Sequence, residues 1–375
     1  MSPTITRRQA LLRSSLLLGA AAMPRTLAAA LQEKQATGLA TRPEYIIRAG
    51  TNENPYGMSR VALNAIYNNM DKSSHYNFRV RQELHQVIAD LNQLPKDQIT
   101  IGSGSGEILE IASLIANMDR GSVVTADPTF QQILRYSSAM GSEIIRVPVR
   151  SDMNIDLAAM KRAIRKDTRL VYIVNPNNPI PSMVAKKELE EFVLEVSKKC
   201  MVLIDEAYYE FVDDPTYGSM IDLVRKGHKN ILVSRTASKI HGMAGLRIGF
   251  GFAHADHIKE IGAKGTGSLS ILAITAATAS YQDNEFQNYT RRKVRESKLI
   301  VEDMVQELGL KTTKSHANFV FFDTGRELRS MNQKLLEKGI KVGRPFAPFD
   351  TWSRVSMVKP EDMKYYAQTY KQLFG

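Results

Sequence analysis

From about Gln98 onward the chain alternates short β-branched runs with stretches of helical periodicity, which leaves few architectures open to it. The runs are Ile99-Thr100-Ile101, then 122–126, 143–147, 170–174, Met201–Asp205, 231–234 and 248–252. Several are apolar without a break, as expected of strands covered on both faces by crossover helices. After the first run comes a glycine turn, and then Ile108, Ile111, Ala112 and Ile115 repeat at helical spacing. The pattern predicts an α/β fold whose large domain is a mostly parallel, doubly wound sheet of about seven strands. After residue 280 the order changes to a long charged helix at 284–308, an apolar strand at 318–322, a helix near 326–338, strands at 340–342 and 355–358, and a closing helix from Pro360. That order reads as a smaller α+β domain. The expected division is a leader at 1–30, an arm at 31–60 that contributes to the small domain, a large domain at 61–280 and a small one at 281–375.

The first thirty residues read as an export signal. Thr6-Arg7-Arg8-Gln9-Ala10-Leu11-Leu12 is a twin-arginine pattern, followed by a weakly apolar run at 11–22, Pro24 and Ala28-Ala29-Ala30. The run is too short to span a bilayer, so the expectation is cleavage near 28–30, a periplasmic mature protein and no stable membrane anchor. The leader holds Arg7, Arg8, Arg13 and Arg25 and no acid, so its removal lowers the formal charge from +11 to +7. The remaining basic residues are interspersed with acids. The densest cluster, Arg291-Arg292-Lys293 to Lys298, shares helical spacing with Val294, Leu299 and Ile300 and reads as a solvated helix face, not a nucleic-acid contact. The single cysteine, Cys200, excludes an internal disulfide framework and reads as a buried filler.

The chemistry concentrates around Lys239, in Ser234-Arg235-Thr236-Ala237-Ser238-Lys239, with Arg247 eight positions on. An amine of this kind forms a Schiff base with a carbonyl once its lone pair is exposed. Thr236, Ser238 and Arg247 supply two hydroxyls and a permanently charged planar fork, donors suited to a phosphate dianion. Gly102-Ser103-Gly104-Ser105-Gly106-Glu107, between a strand and a helix, offers backbone N–H groups to the same anion. It is not the dinucleotide fingerprint, because Glu107 stands at the third glycine position. Asp205 ends an apolar strand at the edge where open α/β sheets bind ligands. A carboxylate about 4 Å from a ring nitrogen gains about 4 kcal/mol at an effective dielectric near 20. That is roughly three pKa units, enough to keep the nitrogen protonated at neutral pH. His254 and His257 have no evident third metal ligand, and Thr236 occupies the serine position that a Ser-x-x-Lys hydrolase requires.

Asn52-Glu53-Asn54-Pro55-Tyr56-Gly57, the glycine turn, Asp127-Pro128-Thr129-Phe130, Asn175-Pro176-Asn177-Asn178-Pro179, Asp205-Glu206-Ala207-Tyr208 and the Lys239 stretch resemble fold-type I class I/II aminotransferases, most of all the histidinol-phosphate aminotransferase branch. The resemblance runs from about residue 44 to the C-terminus. It implies pyridoxal 5'-phosphate as cofactor, with Lys239 as the Schiff-base lysine that also shuttles the proton. Asp205 would pair with the ring nitrogen, Tyr208 and Asn178 with the ring oxygen, and Phe130 would stack on the ring. Ser105, Gly106, Thr236, Ser238 and Arg247 would hold the phosphate. Tyr76 would reach the neighbouring subunit's phosphate, making the active site a property of a homodimer. Arg354, with Asn178, would clamp the anionic end of the substrate.

Three departures stand out: Ile180-Pro181 replaces the usual Thr-Gly, Met357-Val358 stands where a glycine is usual, and Gly265–Leu269 lacks the aromatic-Asn pattern. With the export signal, they argue against a housekeeping histidinol-phosphate enzyme. The expectation is a periplasmic aminotransferase moving an amino group from an amino acid or related anionic amine to a 2-oxo acid. The twin-arginine translocase, which carries folded proteins, would export it with its cofactor loaded. Ile180, Phe346 and Phe349 hint at an aromatic or long apolar substrate side chain. The alternatives are another pyridoxal-phosphate reaction (decarboxylation, elimination or amino-acid oxidation) and an exported binding protein without turnover.

Overall fold

The computed structural model describes residues 42–375 apart from Asn77 and Thr266. The leader at 1–30 and the first part of the arm lie outside the described residues. The strands are β1 (Ile47–Ala49), β2 (Ile99–Gly102), β3 (Ser122–Asp127), β4 (Glu143–Pro148), β5 (Thr168–Val174), β6 (Met201–Asp205), β7 (Ile231–Thr236), β8 (Gly249–Ala253), β9 (Phe319–Asp323), β10 (Ile340–Val342) and β11 (Trp352–Ser356). Strands β2 to β8 form one seven-stranded sheet in the order β2-β8-β7-β6-β5-β3-β4. Its neighbours pair parallel except at β8, which runs antiparallel to both β2 and β7.

Side chains alternate across a strand, so each central strand feeds two cores. Val171 and Ile173 of β5, Val202 and Ile204 of β6, and Ile231 and Val233 of β7 enter one apolar cluster with helices Phe78–Asn92, Lys186–Val196 and Ile271–Gln282. Leu170, Tyr172, Leu203 and Leu232 point the other way, onto helix Gly104–Asn117 through Ile108, Leu109 and Ala112. Continuous apolar strands are the consequence, and they made the sheet readable. One contact leaves no room for a side chain: a Cβ on Gly249 of β8 would lie 2.1 Å from the backbone nitrogen of Ser105.

The second body packs β9 against β11 antiparallel and β1 against β10 parallel. Helices Asn284–Glu307, Leu328–Glu337 and Pro360–Phe374 cover a core that includes Val294, Val301, Phe319, Phe322, Leu335, Ile340, Val355 and Tyr366. Ile47 and Ala49 enter the same core, as do Tyr208 and Ile240 from beside the large sheet. In the basic run at 291–298, Arg292 and Arg295 are exposed on helix Asn284–Glu307, whose buried residues include Val294, Ser297 and Val301. Lys298 departs from the expected solvated face: it is partly buried and donates to the Ser315 carbonyl at 3.0 Å. The last strand is shifted from the expected 355–358 to Trp352–Ser356, because its partner β9 begins at Phe319, opposite Ser356. Cys200 is buried, and burial pushes its thiol up to about 11, consistent with a filler role.

Candidate active site

The C-terminal edges of β5, β6 and β7 lie side by side, with Val174 opposite Asp205 and Asp205 opposite Ser234. The loops leaving these edges carry Asn178, Tyr208 and Lys239. An inner chamber of about 180 Å³ opens there, lined by Ser105, Gly106, Phe130, Asn178, Asp205, Tyr208, Thr236, Ser238, Lys239 and Arg247 among others. It thus gathers every cofactor residue named from the sequence except Tyr76. Tyr76 is 90% exposed and lines neither this chamber nor the outer one in this chain.

One end of the chamber is built for an anion. Ser105 and Gly106 lie in the first turn of helix Gly104–Asn117, where backbone N–H groups lack intrahelical acceptors. The Thr236 hydroxyl donates to the Ser238 hydroxyl at 2.9 Å, and Arg247 Nη1 approaches the same oxygen at 3.4 Å. Arg247 has φ +60°, a left-handed backbone that costs a non-glycine residue energy and tends to persist where function requires it. Gly104, at φ +77°, lies against the guanidinium: a Cβ there would be 2.1 Å from Arg247 Nη2. Glu107, which breaks the dinucleotide fingerprint, instead accepts from the Ser103 N–H at 2.5 Å and ties the turn together.

The other end is built for a cation. Asp205 is 3% exposed; its carboxylate accepts from the Ser234 hydroxyl at 3.0 Å and from the Tyr172 hydroxyl at 3.4 Å. Burial raises its pKa to about 6, held back by those two hydrogen bonds and by the charge of Lys239. None of the ion pairs among the described residues involves Asp205. A buried carboxylate without a cation is poorly solvated, and a protonated ring nitrogen is the partner it lacks. Phosphate donors at one end, an unpaired buried acid at the other and a lysine between them fit pyridoxal 5'-phosphate.

Tyr208 sits between this chamber and the next. Its hydroxyl accepts from Asn52 Nδ2 at 3.0 Å and from Asn178 Nδ2 at 3.2 Å, and Lys239 Nζ lies 5.4 Å from its ring centroid. Asn52 is a residue whose role the sequence reading missed, although it stood in a quoted motif. It adopts φ +54°, receives the Ser356 hydroxyl on its amide oxygen at 2.6 Å, and has its carbonyl held by Asn318 at 3.2 Å. It fastens the N-terminal arm to β11 and to Tyr208 together.

The outer chamber, about 780 Å³, shares Phe130, Asn178, Tyr208 and Lys239 with the inner one and adds Arg354. Arg354 is 9% exposed. Its Nη1 donates to Asn178 Oδ1 and its Nη2 to the Gly50 carbonyl, both at 2.6 Å, while Nε is buried without a partner. Burial lowers its pKa, and no acid neutralises it among the described residues. The guanidinium lies 4.8 Å from the Phe346 ring centroid, and that of Arg344 lies 4.3 Å from the same ring. The apolar hint needs correcting. Ile180 is fully buried against Phe321 and Phe346, Phe349 packs on that cluster, and only Phe346 lines the chamber. Stiffening of the loop by Ile180-Pro181 therefore feeds a small apolar core and not a substrate wall. His254 caps helix Ala255–Lys264 and His257 accepts from the Asn230 N–H at 3.2 Å, structural uses for both.

A mostly parallel doubly wound sheet with this chamber at its C-terminal edge defines the fold-type I class of α/β enzymes. The family model for aminotransferase class I and II matches residues 44–369, and the chain belongs to that family. It is 34% identical over 315 residues to the histidinol-phosphate aminotransferase of Moorella thermoacetica, covering 83% of this chain and 81% of that one. A crystal structure of an Erwinia carotovora atroseptica protein named as a histidinol-phosphate aminotransferase superposes with TM-score 0.84 at 29% identity, covering 88% of this chain and 96% of that one. The histidinol-phosphate aminotransferase of Sinorhizobium meliloti, solved in complex with pyridoxal 5'-phosphate, shares the fold with TM-score 0.82 at 23% identity, covering 88% and 92%. The chain is a pyridoxal-phosphate-dependent aminotransferase.

Proposed function

We propose that the chain moves the amino group of an anionic amine, with a carboxylate or phosphate head group, to a 2-oxo acid. The observation that carries this reading is Arg354: a buried guanidinium without an acid partner, facing the chamber that adjoins Lys239. A planar fork of this kind takes a carboxylate in two parallel hydrogen bonds and also accepts a phosphate. The relatives named for histidinol phosphate act on an amine with a phosphate head group, which stays within this class.

Bound pyridoxal 5'-phosphate supplies an electrophilic aldehyde carbon and an electron-withdrawing ring. Ser105, Gly106, Thr236, Ser238 and Arg247 would hold the phosphate, and Phe130 would cover a face of the ring. Asp205 would keep the proton on the ring nitrogen. Tyr208 and Asn178 would donate to the ring oxygen. Lys239, the one amine lining the inner chamber among the described residues, would hold the aldehyde until the donor amine displaces it, and its freed Nζ would then carry the proton taken from the donor Cα. Arg354 fixes the donor so that its Cα stays within reach of Nζ.

Export by the twin-arginine route and a homodimer that shares Tyr76 across its active sites complete the proposal. The first rests on the Arg7-Arg8 leader. Exposed Tyr67, Tyr76 and Phe78, at 68%, 90% and 77%, give the second an apolar surface to bury.

The test is a single-turnover half-reaction followed by cofactor absorbance. A panel of carboxylate- and phosphate-bearing amines should convert the wild type and release a keto product. Arg354→Gln should lose most of that reactivity with anionic donors, by about a hundredfold in kcat/KM. Full activity in a Lys239→Ala protein, or release of CO₂ or ammonia in place of a keto product, would overturn the reading.

A further inference from the structure

Tyr208 and Lys239 each have a buried ionisable neighbour two residues further on, and the reaction as described uses neither. Glu210 follows Tyr208 on the short helical turn Tyr209–Phe211, and His241 follows Lys239 on the turn beyond β7. Their side chains are 5% and 1% exposed and meet with His241 Nε2 at 3.4 Å from Glu210 Oε1. Neither Glu210 oxygen and not His241 Nε2 takes part in a hydrogen bond among the described residues. A carboxylate so placed is costly unless a cation faces it.

The surrounding charges leave that part to His241. Arg235 lies over the Tyr209 ring at 3.6 Å, but its guanidinium is committed to Glu206, at 2.9 and 3.0 Å. Burial pushes the Tyr209 and Tyr281 phenols up, so both stay neutral. With Glu206 and Arg235 cancelling, Glu210 remains. Among the described residues, His241 is the one basic side chain within ion-pair distance of it. The imidazole is held on its other sides as well. Nδ1 lies 2.9 Å from the Ser280 hydroxyl oxygen, and the ring stacks on Tyr281 with centroids 3.9 Å apart.

The backbone carries this anchoring to the reactive lysine. The Gly242 N–H donates to the Lys239 carbonyl at 3.0 Å, and Asn54 Nδ2 donates to the Ile240 carbonyl at 2.7 Å. Displacing His241 would therefore displace Lys239, whose Nζ lies 5.4 Å from the Tyr208 ring centroid.

We propose that His241, as the imidazolium, and Glu210 form a buried ion pair that positions Lys239 against Tyr208 for the proton transfer. The pair acts through the two turns, since neither residue lines the inner or the outer chamber. This deepens the proposed function and rests on it.

Two measurements test the pair. In nitrogen NMR of the apoprotein at neutral pH, His241, assigned through its contact with the Tyr281 ring, should carry protons on both ring nitrogens. Glu210→Gln should return it to the neutral ring. A neutral His241 in the wild type would overturn the ion pair, whether or not any variant folds. In single-turnover half-reactions, Glu210→Gln and His241→Gln should each lower the saturating rate about tenfold, the effect of a small misplacement of Nζ. The amine concentration giving half that rate should change less than about twofold, because Arg354 and the phosphate cradle are untouched. The double variant should be no slower than the slower single one, since the contact is already lost in each. A lowered melting temperature with the saturating rate intact, or losses that multiply in the double variant, would overturn the positioning role. Failure of the wild type to react with any amine would instead sink the aminotransferase site, while the charge of His241 would still report on the pair.

Discussion

Arg354 donates to the amide oxygen of Asn178 across 2.6 Å, and that contact fixes which way the amide faces. With its oxygen committed to the guanidinium, Asn178 turns its NH₂ toward the Tyr208 hydroxyl at 3.2 Å. One side chain thus connects the clamp for the substrate's anionic end to the residues around the cofactor ring. Asn178→Ala should damage both, lowering kcat/KM by about ten- to a hundredfold, the loss expected for a hydrogen bond to a charged group. Steady-state kinetics and cofactor dissociation, measured on the same variant, test it. A change in only one of the two would mean that the link is not used.

Asp205 gives a pH prediction with a definite sign. Its folded pKa is raised to about 6 from an ordinary value of 3.8, so the native apoprotein binds more protons than the unfolded chain between those limits. Stability is therefore lost as pH rises from about 4 to about 6, by on the order of 3 kcal/mol. Urea melts of the apoprotein across that window should show the decline, and Asp205→Asn should flatten it. Cofactor binding should offset the loss above about pH 6, because a cation then partners the carboxylate.

Gly249→Ala probes the close approach of β8 to the phosphate turn. The added methyl would meet the backbone at Ser105, which cannot rotate away as a side chain would. Overpacking of this kind costs about 1–3 kcal/mol, and the displaced turn should release cofactor faster. Thermal melting with and without pyridoxal 5'-phosphate separates the two effects. An unchanged cofactor off-rate would mean that the turn tolerates the shift.

The shared site can be checked by mixing subunits. Lys239→Ala and Tyr76→Ala homodimers should each be impaired. Hybrids formed by co-refolding should regain about a quarter of wild-type activity, since half the dimers then contain one intact site. No recovery above the Tyr76→Ala level would place Tyr76 outside the site.

The large sheet was legible because parallel strands buried on both faces must be apolar throughout, as 170–174 and 201–204 are. Most of the cofactor chamber was legible too, because its residues sit in short local motifs at strand ends. What escaped was assembled over long sequence separations. Asn52 meets Ser356 and Tyr208 only after folding, and Arg48 meets Lys341 through a three-residue ladder. Ile180 misled for the same reason: an apolar residue beside a site looks like substrate lining until Phe321 and Phe346 are seen to enclose it. Strand β11 was misplaced because its limits follow β9 and not its own composition.

The joining of Asn52 to Ser356 ties the beginning of the described chain to its last strand. Arg354 likewise leans on the Gly50 carbonyl. A nascent chain emerging N-terminus first holds Asn52 long before either partner exists, so the substrate chamber cannot take shape in stages alongside synthesis. Competence arrives late and all at once, when the stretch around Asn52 meets strand β11.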